Sequence, residues 1–119
     1  GMNWAYSDEL QISYQGIPRV FMHKPDYSRQ LLRSVMYINH LQLISKDLFH
    51  IAGGYREGFE GSQDHDLALR LSERTSPAHV DVIAYLWRRG AISQSVSYGL
   101  ISDASIQASR RAIEEHFGR

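Results

Sequence analysis

The chain has 119 residues, 13 basic against 13 acidic side chains, and no cysteine. That length holds one small domain with a modest core, and zero net charge leaves no electrostatic footprint for nucleic acid or anionic lipid. The absence of thiols excludes a disulfide framework and a thiolate metal centre, and no apolar run approaches the roughly 18 residues that a membrane span needs. There is no signal-peptide pattern. Gly1-Met2 reads as an expression scar, which leaves 3–119 for the fold, and the sequence then opens almost on a motif, as expected of part of a longer protein.

Taken in order, Ile17, Val20, Phe21 and Met22 predict a short extended segment between Gly16 and Pro25. Asp26-Tyr27-Ser28 precedes Leu31, Leu32 and Val35 at helical spacing, so a short helix follows. The apolar and aromatic run 36–44 (Met36, Tyr37, Ile38, Leu41, Leu43, Ile44) predicts a buried strand, with His40 a hydrogen-bonded core residue inside it. Ser45 caps a helix through Ile51 that Gly53-Gly54 ends. Ser62 caps a longer helix to about Thr75, stopped by Ser76-Pro77. Val80 to Trp87 predicts a strand, 90–101 a Gly/Ser-rich loop, and Ser102 or Asp103 the cap of a last helix to about Phe117. Its apolar face is Ile106, Ala108, Ile113 and Phe117.

The most informative stretch runs from Gly53 to Leu67 and reads Gly-Gly-Tyr-Arg-Glu-Gly-Phe-Glu-Gly-Ser-Gln-Asp-His-Asp-Leu. Its glycines permit sharp turns and close backbone approach to a ligand. It runs into a helix whose first turn carries Asp64 and Asp66, where the dipole favours ionised carboxylates. Residues two apart on a helix point about 200° apart, so the pair cannot converge on one ion despite the D-x-D pattern. Asp64 shares a stripe with Leu67, Ala68 and Leu71, the side expected to pack inward. Asp66 shares one with Arg70 and Glu73, which predicts a solvated i,i+4 ion pair and a mild effect of Asp66→Asn.

With Tyr6-Ser7-Asp8-Glu9, Lys24-Pro25-Asp26-Tyr27-Ser28, Leu31-Leu32, Tyr37-Ile38-Asn39-His40-Leu41 and Tyr85-Leu86-Trp87-Arg88, this stretch follows a recognisable order. Over about 4–90 the chain resembles the second half of the catalytic domain of family 2 glycosyltransferases, bacterial enzymes of the rhamnosyl- and O-antigen-transferase type. The resemblance implies an α/β fold: a partial GT-A-like mixed sheet with flanking helices, lacking the N-terminal nucleotide-binding half. Residues 3–119 would then be the acceptor-side part of the domain. The implied activity is a hexosyltransferase-like transfer from a nucleotide-sugar donor to a saccharide or lipid-linked acceptor. The expected location is cytoplasmic, with room for a peripheral position at the inner membrane face.

Residue by residue, the resemblance puts the general base on Asp64, with Gln63 where many members have Glu. A plain helix-start carboxylate is the other reading of Asp64. Asp8 falls in an acidic motif that holds Mg²⁺ or Mn²⁺, but its third position is Leu10, which ligates nothing; a solvated acidic turn is the alternative for Asp8 and Glu9. Relatives carry His where Leu86 stands and a His-x-Gly-Ser pattern at Gly90-Ala91-Ile92-Ser93. Tyr55, Phe59 and Gly61 are candidates for the acceptor site; Trp87 is a sugar-stacking platform or core. His23, His50, His79 and His116 have no metal-ligand spacing, and Arg110-Arg111 with Glu114-Glu115 reads as a solvated face. A non-catalytic interaction or acceptor-binding module on a degenerate scaffold is the competing reading. Alone, the chain is expected to bind no nucleotide sugar usefully, and its uncovered sheet edge and apolar face to favour a homodimer.

Overall fold

The computed structural model describes residues 2–89 and 103–119. Its elements are β1 (Trp4–Ser13), β2 (Pro18–Met22), α1 (Arg29–Ser34), β3 (Gln42–Ile44), α2 (Lys46–Ile51), α3 (Gln63–Ser72), β4 (Ala78–Arg89) and α4 (Asp103–Gly118). The expected 90–101 loop, Gly90 and the Ser102 cap lie outside the described residues.

β1 organises the sheet. Along one edge its first residues, Trp4 to Tyr6, pair antiparallel with β3, and Glu9 to Ile12 pair antiparallel with β2. Along the other edge it pairs in parallel with β4. A strand flanked on both sides buries its backbone and most side chains, so Trp4 through Glu9 are all buried. The acidic turn expected at Asp8-Glu9 is therefore overturned: both sit inside the central strand. The shared edge also explains why the strand expected over 36–44 shrinks to Gln42–Ile44. Only the short N-terminal part of β1 is left for it to pair with. Residues 36–41 run as irregular chain, with Ile38 driven into the core and the Leu41 carbonyl accepting from Ser7 N–H at 3.1 Å. His40 thus lies in this segment rather than in a strand.

The core joins Trp4 and Tyr6 of β1 to Leu32, Leu48, Leu67 and Leu71 of the helices. Ser28 and Ser45 cap α1 and α2 as expected, their hydroxyls accepting from the N–H groups of Leu31 and Leu48. Ser62 precedes α3 but gives no side-chain cap; its hydroxyl donates to the Ser105 carbonyl of α4 instead. α3 stops at Ser72 rather than near Thr75, because Arg74 and Thr75 both turn back to the Leu71 carbonyl. On α4, Ala108 and Ile113 of the expected face pack inward, joined by Ala112 and His116, whereas Ile106 and Phe117 are exposed. Small side chains there let α4 approach α3 closely.

α3 is buried on every side from His65 to Ser72, which overturns the two-faced reading of Asp64 and Asp66. Asp66 is 0% exposed. Its Oδ2 accepts from Arg56 Nε at 3.1 Å, Arg70 Nε at 3.1 Å and Arg70 Nη2 at 2.7 Å, and Oδ1 from Arg56 Nη2. Arg70 goes on to donate to the carbonyls of Ala52 and of Gly54, the latter at 2.6 Å. Arg56 reaches Glu115 of α4 at 2.8 Å. One carboxylate thereby ties α3 to the end of α2, the glycine-rich loop and α4. Burial alone would raise the Asp66 carboxyl, but the hydrogen bonds and charges of Arg56 and Arg70 outweigh it and hold it below the usual carboxylate range.

Removing one partner of a buried ion pair strands the other charges, at a cost of roughly 3–5 kcal/mol. Asp66→Asn should lose about that much in urea unfolding, not the few tenths of a surface pair. Because the folded carboxyl titrates below the unfolded one, this contribution is present above the ordinary carboxylate range and is lost as pH falls through the folded value. A loss under about 1 kcal/mol at neutral pH would remove Asp66 from the role of tie point.

Candidate functional site

A cavity of about 790 Å³ opens between the sheet, the 36–41 segment and the N-terminus of α3. Among its lining residues are Glu9, His40, Asp64, Trp87, Gly61 and Ser62. Asp64 is half-buried. Its Oδ2 accepts from Asn39 Nδ2, and its Oδ1 from the His65 backbone N–H at 2.8 Å. His65, also on the cavity wall, is held by Nε2, 2.6 Å from the Leu32 carbonyl, and Nδ1, 3.4 Å from Ser109 Oγ, which locks α3 against α1 and α4. Of the two aspartates on α3, one is therefore consumed by structure and the other faces the cavity.

The acceptor-site candidates separate. Gly61 borders both this cavity and a neighbouring one of about 500 Å³, which Tyr55 also lines. Tyr55 is exposed. Phe59 is instead buried, with the guanidinium of Arg56 4.2 Å and that of Arg111 4.5 Å from its ring centre, so it anchors the loop from beneath. Trp87 is half-buried on the cavity wall, its ring 5.0 Å from His40 and under the Arg89 guanidinium at 4.7 Å.

Glu9 points to the cavity side of β1. Lys24 Nζ lies 3.8 Å from its Oε1 and donates to the His40 carbonyl at 2.9 Å. Glu9 Oε2 and His40 Nδ1, 3.7 Å apart, are both buried without a hydrogen bond, which corrects the expectation of a hydrogen-bonded His40. Asp8, the neighbouring residue, is 1% exposed. Its Oδ1 accepts from the Lys24 backbone N–H at 3.0 Å and lies 2.8 Å from His79 Nε2. Burial works to raise the Asp8 carboxyl, but the Lys24 N–H, His79 and His23 together hold it below the usual range. His79 is moved the other way: burial opposes its charge, yet Asp8 and Asp26 raise it.

β4 carries extra residues opposite this point, since Ser7 pairs with Val80, Asp8 with Ile83 and Glu9 with Tyr85. Bulges of this kind re-aim side chains next to functional sites. Here one coincides with a cluster of Asp8, His23 and Asp81, whose ligand atoms lie within 4.8 Å of one another. No local spacing foretold it, because its members come from β1, β4 and the segment after β2. Two carboxylates and one imidazole form a donor set suited to a divalent cation. Leu10, where the resemblance places a third acid, faces Leu86, where it places a histidine; the two are register partners across β1 and β4.

No protein-family model matches the chain. It is 42% identical over 115 residues to the O-antigen biosynthesis protein RfbC of Myxococcus xanthus, a match covering 96% of this chain and 9% of that protein. It is 40% identical over 118 residues to the uncharacterized protein y4gI of Sinorhizobium fredii, covering 96% of this chain and 13% of that one. A 61-residue stretch is 31% identical to the hyaluronan synthase of Pasteurella multocida, over 51% of this chain and 6% of that protein. The chain thus spans a small part of each curated relative it matches. No helix among the described residues is long and apolar enough to cross a membrane.

The loop beside Asp64 offers a direct test of the packing. Gly61 has φ +84°, and an added Cβ would stand 1.9 Å from Ser105 Oγ and 3.0 Å from Ser105 Cβ. Gly16 has φ +87° but open space around it. Left-handed strain alone costs about 1–2 kcal/mol, so Gly16→Ala should lose only that. Gly61→Ala should lose distinctly more in urea unfolding, because Ser105 of α4 must also be displaced. Equal losses would show that α4 does not close on the loop here.

Proposed function

We propose that this chain is the acceptor-side part of a glycosyltransferase that moves a sugar from a nucleotide-sugar donor to a saccharide or lipid-linked acceptor. The observation that carries this reading is Asp64, held by Asn39 on the wall of the 790 Å³ cavity at the start of a rigid helix. The O-antigen and hyaluronan-synthase relatives point the same way. In this reading the family is the family 2, GT-A type, and the rest of the longer protein supplies the nucleotide-binding half.

The chemistry asks little of this part of the protein. An acceptor hydroxyl attacks the anomeric carbon of the donor, its proton passes to Asp64, and the bond from that carbon to the diphosphate oxygen breaks. The nucleoside diphosphate leaves with the bonding electrons. Trp87 offers an apolar face for a sugar ring, and Tyr55 and Gly61 border the approach from the loop. Asp8, His23 and Asp81 would hold a Mg²⁺ or Mn²⁺ ion, whose charge offsets the negative charge developing on the departing diphosphate.

A second reading has a specific observation in its favour. The matched pair Leu10 and Leu86 replaces two polar positions at once, as expected if the scaffold binds an acceptor without turning over a donor. Two measurements on the intact protein decide. With a panel of UDP-, dTDP- and GDP-linked sugars, Asp64→Asn should lower nucleotide release roughly 10²- to 10⁴-fold with folding intact; undiminished release rules out Asp64 as the base. Manganese titration followed by electron paramagnetic resonance should find a site that Asp8→Asn and Asp81→Asn each weaken at least about tenfold. If neither changes the affinity, the cluster is not the metal site.

A further inference from the structure

Resting on Asp64 as the base, we infer that Asn39 is its positioning residue, set by a one-way hydrogen-bond relay that starts at Trp4 in the core. The direction of the relay follows from chemistry alone. An indole N–H can only donate, and Trp4 Nε1 donates to Gln42 Oε1 at 2.9 Å. With its oxygen engaged, Gln42 presents its amide nitrogen, which donates to Asn39 Oδ1 at 2.9 Å. Asn39 must then turn its own amide nitrogen outward, and that nitrogen donates to Asp64 Oδ2. Side-chain amides are ambiguous in orientation when viewed singly. Here the donor-only indole at one end fixes both.

The relay has consequences for the carboxylate. It ends in a donor, so the oxygen it meets must be an acceptor, and Oδ1 meets a second donor in the His65 N–H. Both oxygens are fixed in place, and each keeps a lone pair for the cavity. The relay's own anchor is rigid: Trp4 is 1% exposed in the central strand, and Gln42 lies in β3, the strand paired with it. Asn39 is the only link that borders the cavity together with Asp64, while Trp4 and Gln42 stand behind the wall. The segment 36–41, which forms no strand, thereby carries the core's orientation to the site.

Gln42→Glu tests the direction. A carboxylate at 42 still accepts from Trp4 but has no proton to give Asn39, so the Asn39 amide reverses and turns its oxygen on Asp64. In the intact protein, nucleotide release from the same panel should fall roughly 10- to 100-fold in kcat, with KM changed less than about twofold. The same substitution should add nothing in an Asp64→Asn background, since the group it positions is gone. Trp4→Phe, which frees only the first link, should fall between wild type and Gln42→Glu. A readout independent of turnover comes from ¹H–¹⁵N spectra. The Asn39 side-chain amide protons should be protected from exchange in the wild type and lose that protection in Gln42→Glu. Unchanged kcat in a folded Gln42→Glu, or an Asn39 amide that exchanges freely in the wild type, overturns the relay. If Asp64→Asn retains full turnover, the base assignment falls by itself, and the amide spectra still decide whether the relay exists.

Discussion

The site depends on a single buried carboxylate. Asp66 takes N–H groups from two guanidiniums, and these in turn hold the carbonyls at the end of α2, the glycine-rich loop and the side of α4. A glycine-rich segment has more conformational freedom to lose than any other, so it keeps one shape only if something outside it imposes one. Two charge-assisted pairs on a fully buried carboxylate do so, and Phe59, packed beneath Arg56 and Arg111, also fixes the loop. The same arrangement carries a risk. Buried ions gain little net stability over an apolar core, yet losing one partner is costly. Asp66 is therefore better understood as a device that specifies a shape than as a source of stability.

A second constraint is topological. β1 divides one edge between β3 and β2 and gives the other to β4, so every strand reaches the site through it. It brings Glu9 to the cavity wall and Asp8 against His79 beside the β4 bulge. Two adjacent acids thus enter different environments. Glu9 faces Lys24 and His40, whereas Asp8 joins two histidines and Asp81. A ladder continued from Ser7 and Val80 would pair Asp8 with Asp81; the bulge shifts that partner to Ile83, and Asp81 still lies within reach of Asp8 and His23.

Much of this was legible in the sequence where the signal was local. The serine caps of α1 and α2, the stop at Gly53-Gly54, β2 and β4 all follow from residues close together in the chain. What was not legible depended on partners far away. β1 carries a polar centre, Ser7-Asp8-Glu9, that reads as a turn; it is a strand because neighbours on both edges satisfy its backbone and because His79 and Lys24 arrive to meet its acids. The 36–44 run is apolar enough for a strand, yet it has only a few residues of β1 to pair with. Face analysis of α3 presumed that one side would see water. With α1, α4 and the loop all packed on it, no side does, and Arg56, ten residues earlier, was the partner that helical spacing could not supply.

The two aspartates of α3 show how a fold gives two identical groups different surroundings. Asp66 receives four N–H groups from two permanent cations and is sealed from solvent, so neither its charge nor its lone pairs are available. Asp64 receives two neutral donors, one per oxygen, and faces open volume. Neutral donors fix a carboxylate in place while binding its charge far less tightly than guanidiniums do. On this helix Asp64 joins two neutral donors to a place on the cavity wall, and Asp66 has neither.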